Sequence, residues 1–309
     1  MPRAFVLVNP MSSRTDPREL QELLDRFFGD EPARIRVMEK TDKASEIVQH
    51  ALDELRPELV VVAGGDGTIS GAASALSGTS VPLAIVPTGT ANMLAEQLGI
   101  PASPAEAMRL AGGEHSLRSI DAMECDGRLY FLNAGAGVSS RTVQDLSDED
   151  KRRFGRMAYI WTGITSSLWS APVPFRVAID GAERDFRGIE VTIINAGFRE
   201  QPGFPGVPDI EPDDGALDVM LVWTPTPVGY LQHIGDVVAK KRPIEPNVKW
   251  MRARKEISID AGKVLPVQAD GDLIGKTPCV FRLVPGAVSV LVPSERRAVG
   301  GSNEGAPDG

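Results

Sequence analysis

The stretch that decides the fold is LVVVAGGDGTIS, residues 59–70. Its first five residues are apolar throughout, which is typical of a strand buried on both faces of a parallel sheet. The three glycines that follow allow a sharp turn and let backbone N–H groups approach a bound ligand closely. In open α/β sheets ligands bind outside the carboxyl ends of the strands, and a following helix N-terminus favours phosphate. The stretch therefore predicts an α/β domain with a phosphate site at the end of this strand.

One acidic side chain interrupts the glycines of this turn. Asp66 is negatively charged like phosphate, so we expect it to hold a metal ion or a water molecule that contacts the phosphate oxygens. A purely structural turn is the alternative, because Asp-Gly is a common turn pair. Three glycines at the end of a buried strand favour the ligand site.

The segments around this stretch alternate between strand and helix patterns. Short apolar runs predict further strands, and apolar residues at helical spacing predict the helices that follow them. The strands are predicted at residues 4–8, 35–38, 59–63 and 83–86, and the helices at residues 17–28 and 44–55, in the Ala-rich segment after the glycine turn at 64–68, and at residues 91–98. This order of elements predicts a doubly wound parallel sheet.

The pattern changes after about residue 120. Tight-turn pairs now separate short runs of β-forming residues, which predicts antiparallel strands. The turn pairs are Asp126-Gly127, Asp180-Gly181, Ala261-Gly262 and Pro285-Gly286. The runs are residues 129–132, 175–179, 190–194, 217–222, 256–259, 264–268 and 288–292. We predict an α/β domain at residues 1–120, an antiparallel β-sandwich at 121–292 with one helix-like insert at 154–168, and a disordered tail at 293–309.

A second turn of the same design follows the next strand along the chain. Residues 87–92, PTGTAN, combine a glycine turn with the hydroxyl of Thr90 just before a helix. Thr90 can cap that helix, and a cap is compatible with a phosphate contact. The first strand also ends in a polar turn, which begins at Asn9 and includes Ser12 and Ser13. Three polar strand ends at one edge of the sheet predict a nucleotide cleft.

Six short motifs carry a resemblance to a known family. They are Asn9-Pro10, GGDGT at 64–68, PTGTAN at 87–92, FLNAG at 131–135, DDGALD at 213–218 and DGD at 270–272. In this order and spacing they resemble the diacylglycerol kinase catalytic-domain family, which includes sphingosine kinases and bacterial lipid kinases. The resemblance covers nearly the whole chain up to about residue 292. GGDGT alone is shared with NAD kinases, whereas its combination with the other motifs is much more specific.

The resemblance implies a nucleotide-binding N-terminal domain followed by a β-sandwich that takes the lipid substrate. It also implies that ATP is the phosphoryl donor and that the two glycine turns line its phosphates. The nucleotide-binding residues that it implies are Asn9, Thr41, Gly64, Gly65, Asp66, Gly67, Thr68, Ile69, Ser70 and Thr90. Asp66 would take part in catalysis, close to the nucleotide and its Mg²⁺.

The last motif is expected to supply the general base. The family's Asp-Gly-Glu corresponds to Asp270-Gly271-Asp272, so the implied base is Asp272, whose side chain is one methylene shorter. A carboxylate can accept the proton of a hydroxyl group that lies within hydrogen-bond reach. A second departure from the family is Met93, where many relatives have aspartate after the asparagine.

A structural magnesium ion is implied in the second half of the chain. Bacterial relatives hold this ion at an Asp-Gly turn, and the turn corresponds to the motif at 213–218. The implied ligands are the carboxylate of Asp214 and the backbone carbonyl oxygens of Glu211 and Ala216. ATP and Mg²⁺ are therefore the expected cofactors.

Together these inferences predict an ATP-dependent kinase that phosphorylates the hydroxyl of a lipid alcohol, with diacylglycerol or a related lipid as substrate. An NAD kinase-like enzyme on the same core is one alternative, and the motifs at 87–92 and 270–272 argue against it. A non-catalytic nucleotide or lipid sensor is another, suggested only by the shorter Asp272. The acyl substrate and the oligomeric state stay open, and a homo-oligomer is compatible with the sequence.

Composition narrows the range of partners and compartments. The chain has 309 residues and a net charge of −9, which disfavours sequence-independent binding of nucleic acid. No apolar stretch approaches the length of a transmembrane helix, and the N-terminus lacks the features of a signal peptide. We expect a cytoplasmic enzyme that meets its lipid at the inner face of the membrane. Residues 151–156 contain four cations, which either contact anionic lipid or simply face water.

Other patterns are set aside. Residues 271–277 resemble a P-loop that is one residue short, and they are predicted to lie in a hairpin. Cys125 and Cys279 form neither a disulfide framework nor a zinc motif. The three histidines show no metal-ligand or catalytic-triad spacing.

Overall fold

The structure, a computed structural model, describes residues 3–11, 22–23, 25–27, 34–145, 172–197, 208–222 and 248–294. Several predictions lie outside these residues: the Ser12-Ser13 turn, the start of the first helix, the insert at 154–168, the basic residues 151–156 and the tail from residue 295. No helix within the described ranges is long and apolar enough to cross a membrane.

The first half of the chain alternates parallel strands with helices. The strands are β1 (Ala4–Val8), β2 (Arg34–Val37), β3 (Leu59–Gly64) and β4 (Leu83–Pro87). The helices are α1 (Ala44–Leu55), α2 (Asp66–Leu76), α3 (Met93–Gln97) and α4 (Pro104–Gly112), and residues 22–23 and 25–27 are also helical. The strand order is β2-β1-β3-β4, with each neighbouring pair parallel. The predicted parallel α/β sheet is confirmed.

Burial explains why these segments adopt this arrangement. Every residue of β1, β3 and β4 is buried, so these strands need helices on the faces of the sheet. In α1 the buried residues Ala44, Val48 and Ala51 recur at helical spacing and form its packed face. Burying one valine or leucine side chain contributes about 1.5–3 kcal/mol, so a sheet covered in this way is a rigid support for the turns at its edge.

The second half is mainly antiparallel. Its strands are β5 (Ser116–Cys125), β6 (Arg128–Tyr130), β7 (Asn133–Gly137), β8 (Val173–Ile179), β9 (Ala182–Gly188), β10 (Glu190–Ile194), β11 (Leu217–Val222), β12 (Val248–Ala253), β13 (Glu256–Ala261), β14 (Pro266–Ala269), β15 (Asp272–Lys276) and β16 (Cys279–Val292). One helix, α5 (Val138–Asp145), follows β7 within the described residues. β5 runs through residues 120 and 121, so the predicted domain boundary falls inside a strand, and its position stays a prediction.

Two sheets enclose the second core. The second sheet has the order β12-β11-β10-β7-β14-β15, and β16, β13, β8 and β9 extend the first sheet beyond β4. Phe175 and Phe281 of the first sheet are buried in one cluster with Val191, Val219 and Val267 of the second. This arrangement confirms the predicted antiparallel sandwich. β16 pairs in parallel with β4 and antiparallel with β5 and β13, so a single strand joins the α/β half to the sandwich.

β7 lies outside the predicted strands, and packing explains the difference. Its sequence, NAGAG, has low β propensity because it lacks branched and aromatic side chains. Small residues are nevertheless required there. A Cβ atom on Gly135 would lie 2.8 Å from the carbonyl oxygen of Val191 and 2.9 Å from the carboxylate of Glu190. The prediction for residues 271–277 is confirmed, because β14 and β15 pair as an antiparallel hairpin.

Glu190 is a buried carboxylate at the start of β10. It accepts hydrogen bonds from Ser139 N at 2.8 Å, from Ser139 Oγ at 2.6 Å and from Thr192 Oγ1 at 2.9 Å. Desolvation raises the pKa of Glu190 from 4.5 to about 7, although these hydrogen bonds oppose the shift. The folded protein therefore binds a proton that the unfolded chain releases at lower pH.

We predict a pH-dependent contribution of Glu190 to stability. Because its folded-state pKa is raised, this contribution is fully present below pH 4.5 and is lost as the pH rises through about 7. The loss should reach about 3 kcal/mol, since each pKa unit corresponds to 1.36 kcal/mol. Glu190→Gln should remove this pH dependence, whereas Glu183→Gln on the exposed strand β9 should not. Denaturant unfolding across this pH range measures the effect, and a stability difference between the parent and Glu190→Gln that is constant with pH would contradict the prediction.

Candidate active site

The first element of the site is the GGDGT turn, residues 64–68, between β3 and α2. Thr68 N and Ile69 N donate to the carbonyl oxygen of Gly65 at 3.0 Å each and so begin the helix. A Cβ atom on Gly64 would lie 2.8 Å from Thr68 Cβ, so only glycine fits there. Asn9, just after β1, donates from Nδ2 to Thr68 Oγ1 at 2.8 Å. The ends of β1 and β3 are therefore joined by a side-chain hydrogen bond.

The second element is the PTGTAN turn, residues 87–92, between β4 and α3. A Cβ atom on Gly89 would lie 2.5 Å from Gly65 Cα, so the backbones of the two turns are in direct contact. Asn92 shapes the turn, because its side chain accepts from Gly89 N at 2.9 Å and donates to Gly89 O at 3.0 Å. Asn92 has a φ of 51°, and α3 therefore begins only at Met93, two residues later than predicted.

The other predicted nucleotide-binding residues differ in exposure. Asp66 is half-buried, and its Oδ1 accepts from Leu94 N of α3 at 3.3 Å. Thr41, after β2, and Thr90, in the PTGTAN turn, are both exposed. Ile69 is fully buried in the first core and its amide is used inside the helix, so its side chain offers nothing to a nucleotide.

Thr88 marks this region as a place that a ligand can complete. Its hydroxyl oxygen is buried and has no hydrogen-bond partner among the residues that the structure describes. Buried hydroxyl groups are nearly always hydrogen-bonded in folded proteins. The site thus combines exposed and unpaired hydroxyls with a helix N-terminus, which fits the phosphates of a nucleotide.

The third element is the DGD hairpin, which consists of β14, the turn Asp270-Gly271 and β15. Both turn residues have positive φ, 48° and 88°. The Asp270 carboxylate accepts hydrogen bonds from the amides of Phe131, Leu132 and Asn133 at 2.9, 2.9 and 3.2 Å. Desolvation raises the pKa of Asp270, while these hydrogen bonds oppose the rise.

One further contact joins the hairpin to the nucleotide turns. Ser70 of α2 donates from Oγ to Asp270 Oδ2 at 2.5 Å. Ser70 lies four residues after Asp66, about 6 Å along the helix. Asp272 lies two residues after Asp270, at most about 7 Å along the chain. The two candidate catalytic carboxylates, Asp66 and Asp272, therefore lie in one region, and this hydrogen bond is a direct contact between the elements that carry them.

Asp272 itself is exposed at the first position of β15. Its carboxylate makes no hydrogen bond or ion pair within the described part of the chain. An exposed carboxylate with open acceptor positions can take a proton from an incoming hydroxyl group. This geometry is compatible with the predicted base, and the assignment stays a prediction.

The predicted magnesium ligands lie in the acidic loop, residues 211–216. Arg118 pairs with Glu211 and with both carboxylate oxygens of Asp213, and Arg252 pairs with Asp214. No group of three acidic, histidine or cysteine side chains among the described residues could hold a metal ion. A bound cation would have to displace Arg252 from Asp214. The predicted ligand set contains one carboxylate and two backbone carbonyl oxygens, so the assignment of Glu211, Asp214 and Ala216 stays a prediction, and no step of the reaction is derived through it.

Asp121 is a site-supporting residue that the sequence analysis missed. It is buried on β5, and its carboxylate accepts from Gly215 N and Gly286 N at 2.8 Å each. Burial raises its pKa, although both hydrogen bonds oppose the shift. An acid between Ile120 and Ala122 in an apolar run was the signal that could have identified it. Its role is to hold the acidic loop against β16.

Comparisons with known proteins support the same division of the chain. Residues 3–125 match the diacylglycerol kinase catalytic domain, and residues 133–292 match the YegS C-terminal NAD kinase beta sandwich-like domain. A Pseudomonas aeruginosa protein named "Probable lipid kinase YegS-like" is 32% identical, over 84% of this chain and 84% of its own length. An uncharacterised Synechocystis protein is 28% identical over 82% of this chain, and the match spans 61% of that protein. A crystal structure of a Bacillus anthracis protein shares the fold, with a TM-score of 0.76 at 24% identity over 94% of this chain and 97% of that one.

We predict that Gly89→Ala separates the two turns and weakens nucleotide binding. The added methyl group would meet Gly65 Cα at 2.5 Å and Asn92 Oδ1 at 2.8 Å, so one backbone must move. Such overpacking typically costs about 1–3 kcal/mol. Gly275→Ala on β15 is the control, because its methyl group meets nothing within 4 Å. Calorimetric titration with ATP and thermal unfolding check both variants, and equal ATP affinity in Gly89→Ala and parent would contradict the prediction.

We also predict that magnesium competes with Arg252 for the carboxylate of Asp214, so that magnesium stabilises the parent less than it stabilises Arg252→Gln. Arg252→Gln should free this carboxylate, and magnesium should then stabilise the variant by binding the folded state. Differential scanning fluorimetry with and without magnesium provides the measurement. Stabilisation by magnesium that disappears in Asp214→Asn would support the metal site at Glu211, Asp214 and Ala216, and stabilisation that persists in Asp214→Asn would contradict it.

Proposed function

The chain belongs to the diacylglycerol kinase catalytic-domain family, and we propose that it phosphorylates the hydroxyl group of a lipid alcohol with ATP. The family is one of lipid kinases, so phosphoryl transfer to a lipid is the class of reaction. Diacylglycerol is the proposed substrate because the family matched over residues 3–125 is described by it. A related lipid alcohol is the alternative within the same class.

The observation that carries this proposal is the meeting of three motifs from distant parts of the chain. The GGDGT and PTGTAN turns touch at Gly65 and Gly89, and Ser70 joins α2 to the DGD hairpin at Asp270. Phosphoryl transfer depends mostly on positioning and on neutralising charge, with little covalent chemistry for the protein. Two glycine turns in contact with each other, close to a hairpin that carries an exposed carboxylate, support that chemistry.

The nucleotide turns have the role of holding ATP. Backbone amides at the start of α2 and the positive end of the helix dipole favour the phosphates. Hydroxyl groups at Thr41, Thr88 and Thr90 are available to the nucleotide or to water around it. Asp66 is the residue proposed to hold the Mg²⁺ that accompanies ATP. That ion would supply charge neutralisation on the phosphate oxygens.

The transfer step uses the DGD hairpin. The lipid hydroxyl oxygen forms a bond to the γ-phosphorus, and the bond from that phosphorus to the bridging oxygen of ADP breaks. The hydroxyl proton passes to the Asp272 carboxylate, which is exposed and free of partners among the described residues. Asp66 and Asp272 thus have separate roles, the first on the phosphate side and the second on the acceptor side.

The lipid is proposed to reach this site from the membrane surface. Leu273, directly after Asp272, is 46% exposed. An exposed aliphatic side chain next to the base in the chain can contact the acyl region of the substrate. Because ATP is supplied on the cytoplasmic side, we place the reaction at the inner face of the membrane.

Transfer of labelled phosphate from ATP to a panel of acceptors tests the function. The panel contains diacylglycerol, phosphatidylglycerol and a sphingoid base in detergent micelles, and NAD in solution. The products are separated by chromatography. A labelled lipid supports the proposal and identifies the alcohol. Label in NAD alone would make the protein an NAD kinase, and ATP binding without any transfer would favour a sensor.

We predict that Asp272→Asn lowers turnover roughly 10²–10⁴-fold, the usual contribution of a positioned acid–base group. ATP affinity should barely change, because asparagine keeps the shape of the side chain and loses only proton acceptance. Asp272→Glu should retain turnover, since it restores the longer reach of the family's base. Steady-state kinetics and nucleotide titration measure both. Full turnover in Asp272→Asn would remove this residue from the mechanism.

A further inference from the structure

Asp270 has an unusually complete set of hydrogen-bond partners. Its Oδ1 accepts from the amides of Leu132 and Asn133, and its Oδ2 accepts from the amide of Phe131 and the hydroxyl of Ser70. The backbone N–H of Asp270 in turn donates to the carbonyl oxygen of Asn133 at 2.8 Å. Every polar group of the residue except its carbonyl oxygen is therefore accounted for by these contacts.

This saturation decides what Asp270 can do. An ionised carboxylate offers about four lone-pair positions, and all four donors here are N–H or O–H groups. Accepting the proton of a substrate hydroxyl would require one of these hydrogen bonds to break. Asp272, two residues further on, is exposed and has open acceptor positions. Asp270 is therefore suited to hold the hairpin and unsuited to act as the base.

A second aspartate in the same protein binds the backbone amides of a neighbouring segment without a side-chain donor among its described contacts. Asp180, at the turn between β8 and β9, accepts from the amides of Arg254, Lys255 and Glu256 at 2.8, 2.8 and 3.0 Å. Its own N–H donates to the carbonyl oxygen of Glu256 at 2.9 Å, as Asp270 does with its third partner. Both aspartates have positive φ, near 50°, and precede a glycine. The two turns therefore share one structural motif, in which a carboxylate accepts hydrogen bonds from three consecutive backbone amides of a neighbouring segment.

Ser70 is what distinguishes the two turns. Asp180 is exposed and binds only the three amides among its described contacts, whereas Asp270 also receives the hydroxyl of buried Ser70. A serine hydroxyl has a single proton to donate, so Ser70 cannot donate to Asp270 and to a phosphate oxygen at once. The sequence-based assignment of Ser70 as a phosphate contact therefore competes with this hydrogen bond.

We propose that the Ser70–Asp270 hydrogen bond is a positioning contact of the kinase, which sets the distance between the nucleotide-binding helix α2 and the hairpin that carries Asp272. Asp270 acts through Asp272 and does not touch the substrate. Ser70 is a positioning residue in the same sense. The inference rests on the proposed function, because positioning has meaning only if phosphoryl transfer occurs between these two elements.

Ser70→Ala is the first test. It removes the donor and leaves the three amides on Asp270, so the hairpin should keep its shape. Turnover should fall roughly ten- to hundredfold, the range for losing a hydrogen bond to a charged group, with KM for ATP changed little. Ser70→Thr keeps the hydroxyl and should recover most of the turnover. The acid limb of the pH–turnover profile should stay where it is in the parent, because Asp272 still accepts the proton. A Ser70→Ala variant with parental turnover would overturn the proposal.

Asp270→Asn with its matched control, Asp180→Asn, is the second test. Each change replaces one acceptor oxygen of a turn carboxylate by an NH₂ group, which faces backbone donors and loses their hydrogen bonds. Both variants should therefore lower the melting temperature, Asp270→Asn by more, because its carboxylate is less exposed and binds one donor more. Only Asp270→Asn should also lower turnover, because only its turn carries Asp272.

Equal turnover in the two variants would show that Asp270 has a structural role alone and would overturn the proposal. Loss of the acid limb of the profile in Asp270→Asn, with turnover retained in Asp272→Asn, would make Asp270 the base and would also overturn it.

Failure of the proposed function is detected separately. If the parent transfers phosphate to no lipid alcohol, the kinase assignment fails and the positioning role fails with it, whatever the variants do. The contact itself is then examined by a double-mutant cycle in thermal unfolding with Ser70→Ala and Asp270→Asn. A smaller effect of Ser70→Ala in the Asp270→Asn background shows that the two residues interact. In a parent that does phosphorylate lipid, additive effects on both stability and turnover would reject the contact.

Discussion

The carboxylate of Asp270 is the interaction on which the rest of the site depends. It gathers four donors from two distant segments, the FLNAG motif at residues 131–135 and helix α2, onto one hairpin turn. Such a network is strong in a poorly solvated place, because water does not compete for the donors. These hydrogen bonds therefore help to set the position of the hairpin relative to the nucleotide turns, together with the pairing of β14 with β7 and the burial of Val267 and Ala269.

Close backbone contact is the matching constraint on the nucleotide side. The two glycine turns touch at a distance that excludes even one methyl group, and the side chain of Asn92 holds Gly89 from both sides. Glycine is required here for the space it leaves free, not for its conformational range. The two turns at the carboxyl ends of β3 and β4 are therefore fixed relative to each other. Around this frame, Thr41, Thr90 and Asp272 are exposed.

Charge is distributed unevenly across the molecule. The chain carries a net charge of −9, yet the acidic loop is neutralised locally by Arg118 and Arg252. Asp121 beneath it binds two backbone amides and joins the loop to β16, the strand that connects the two halves of the protein. The loop is therefore a structural joint between the sandwich and the α/β half. Its ion pairs are partly exposed, so each contributes modestly to stability.

The sequence by itself identified the class of both halves and many of their elements, although β5, β9 and β12 lie outside the predicted strands. Apolar runs identified β1, β3 and β4, and the Asp-Gly pairs at 126–127 and 180–181 identified hairpin turns, because both signals are local. The glycine turns and the DGD motif also pointed to groups that the structure brings together, at the contacts of Gly65 with Gly89 and of Ser70 with Asp270. β7 was missed because its glycines and alanines serve packing against β10 and carry no strand signal of their own.

Only the tertiary structure decided how these parts cooperate. Ser70 and Asp270 are 200 residues apart in the chain, and no periodicity or turn rule connects residues at that separation. The same holds for the contact of Gly89 with Gly65 and for the pairing of Arg252 with Asp214. The sequence named the chemical groups because a side chain carries its chemistry wherever it lies. Their roles followed from the partners that folding gave them, since hydrogen bonds and ion pairs depend on distance and direction in space.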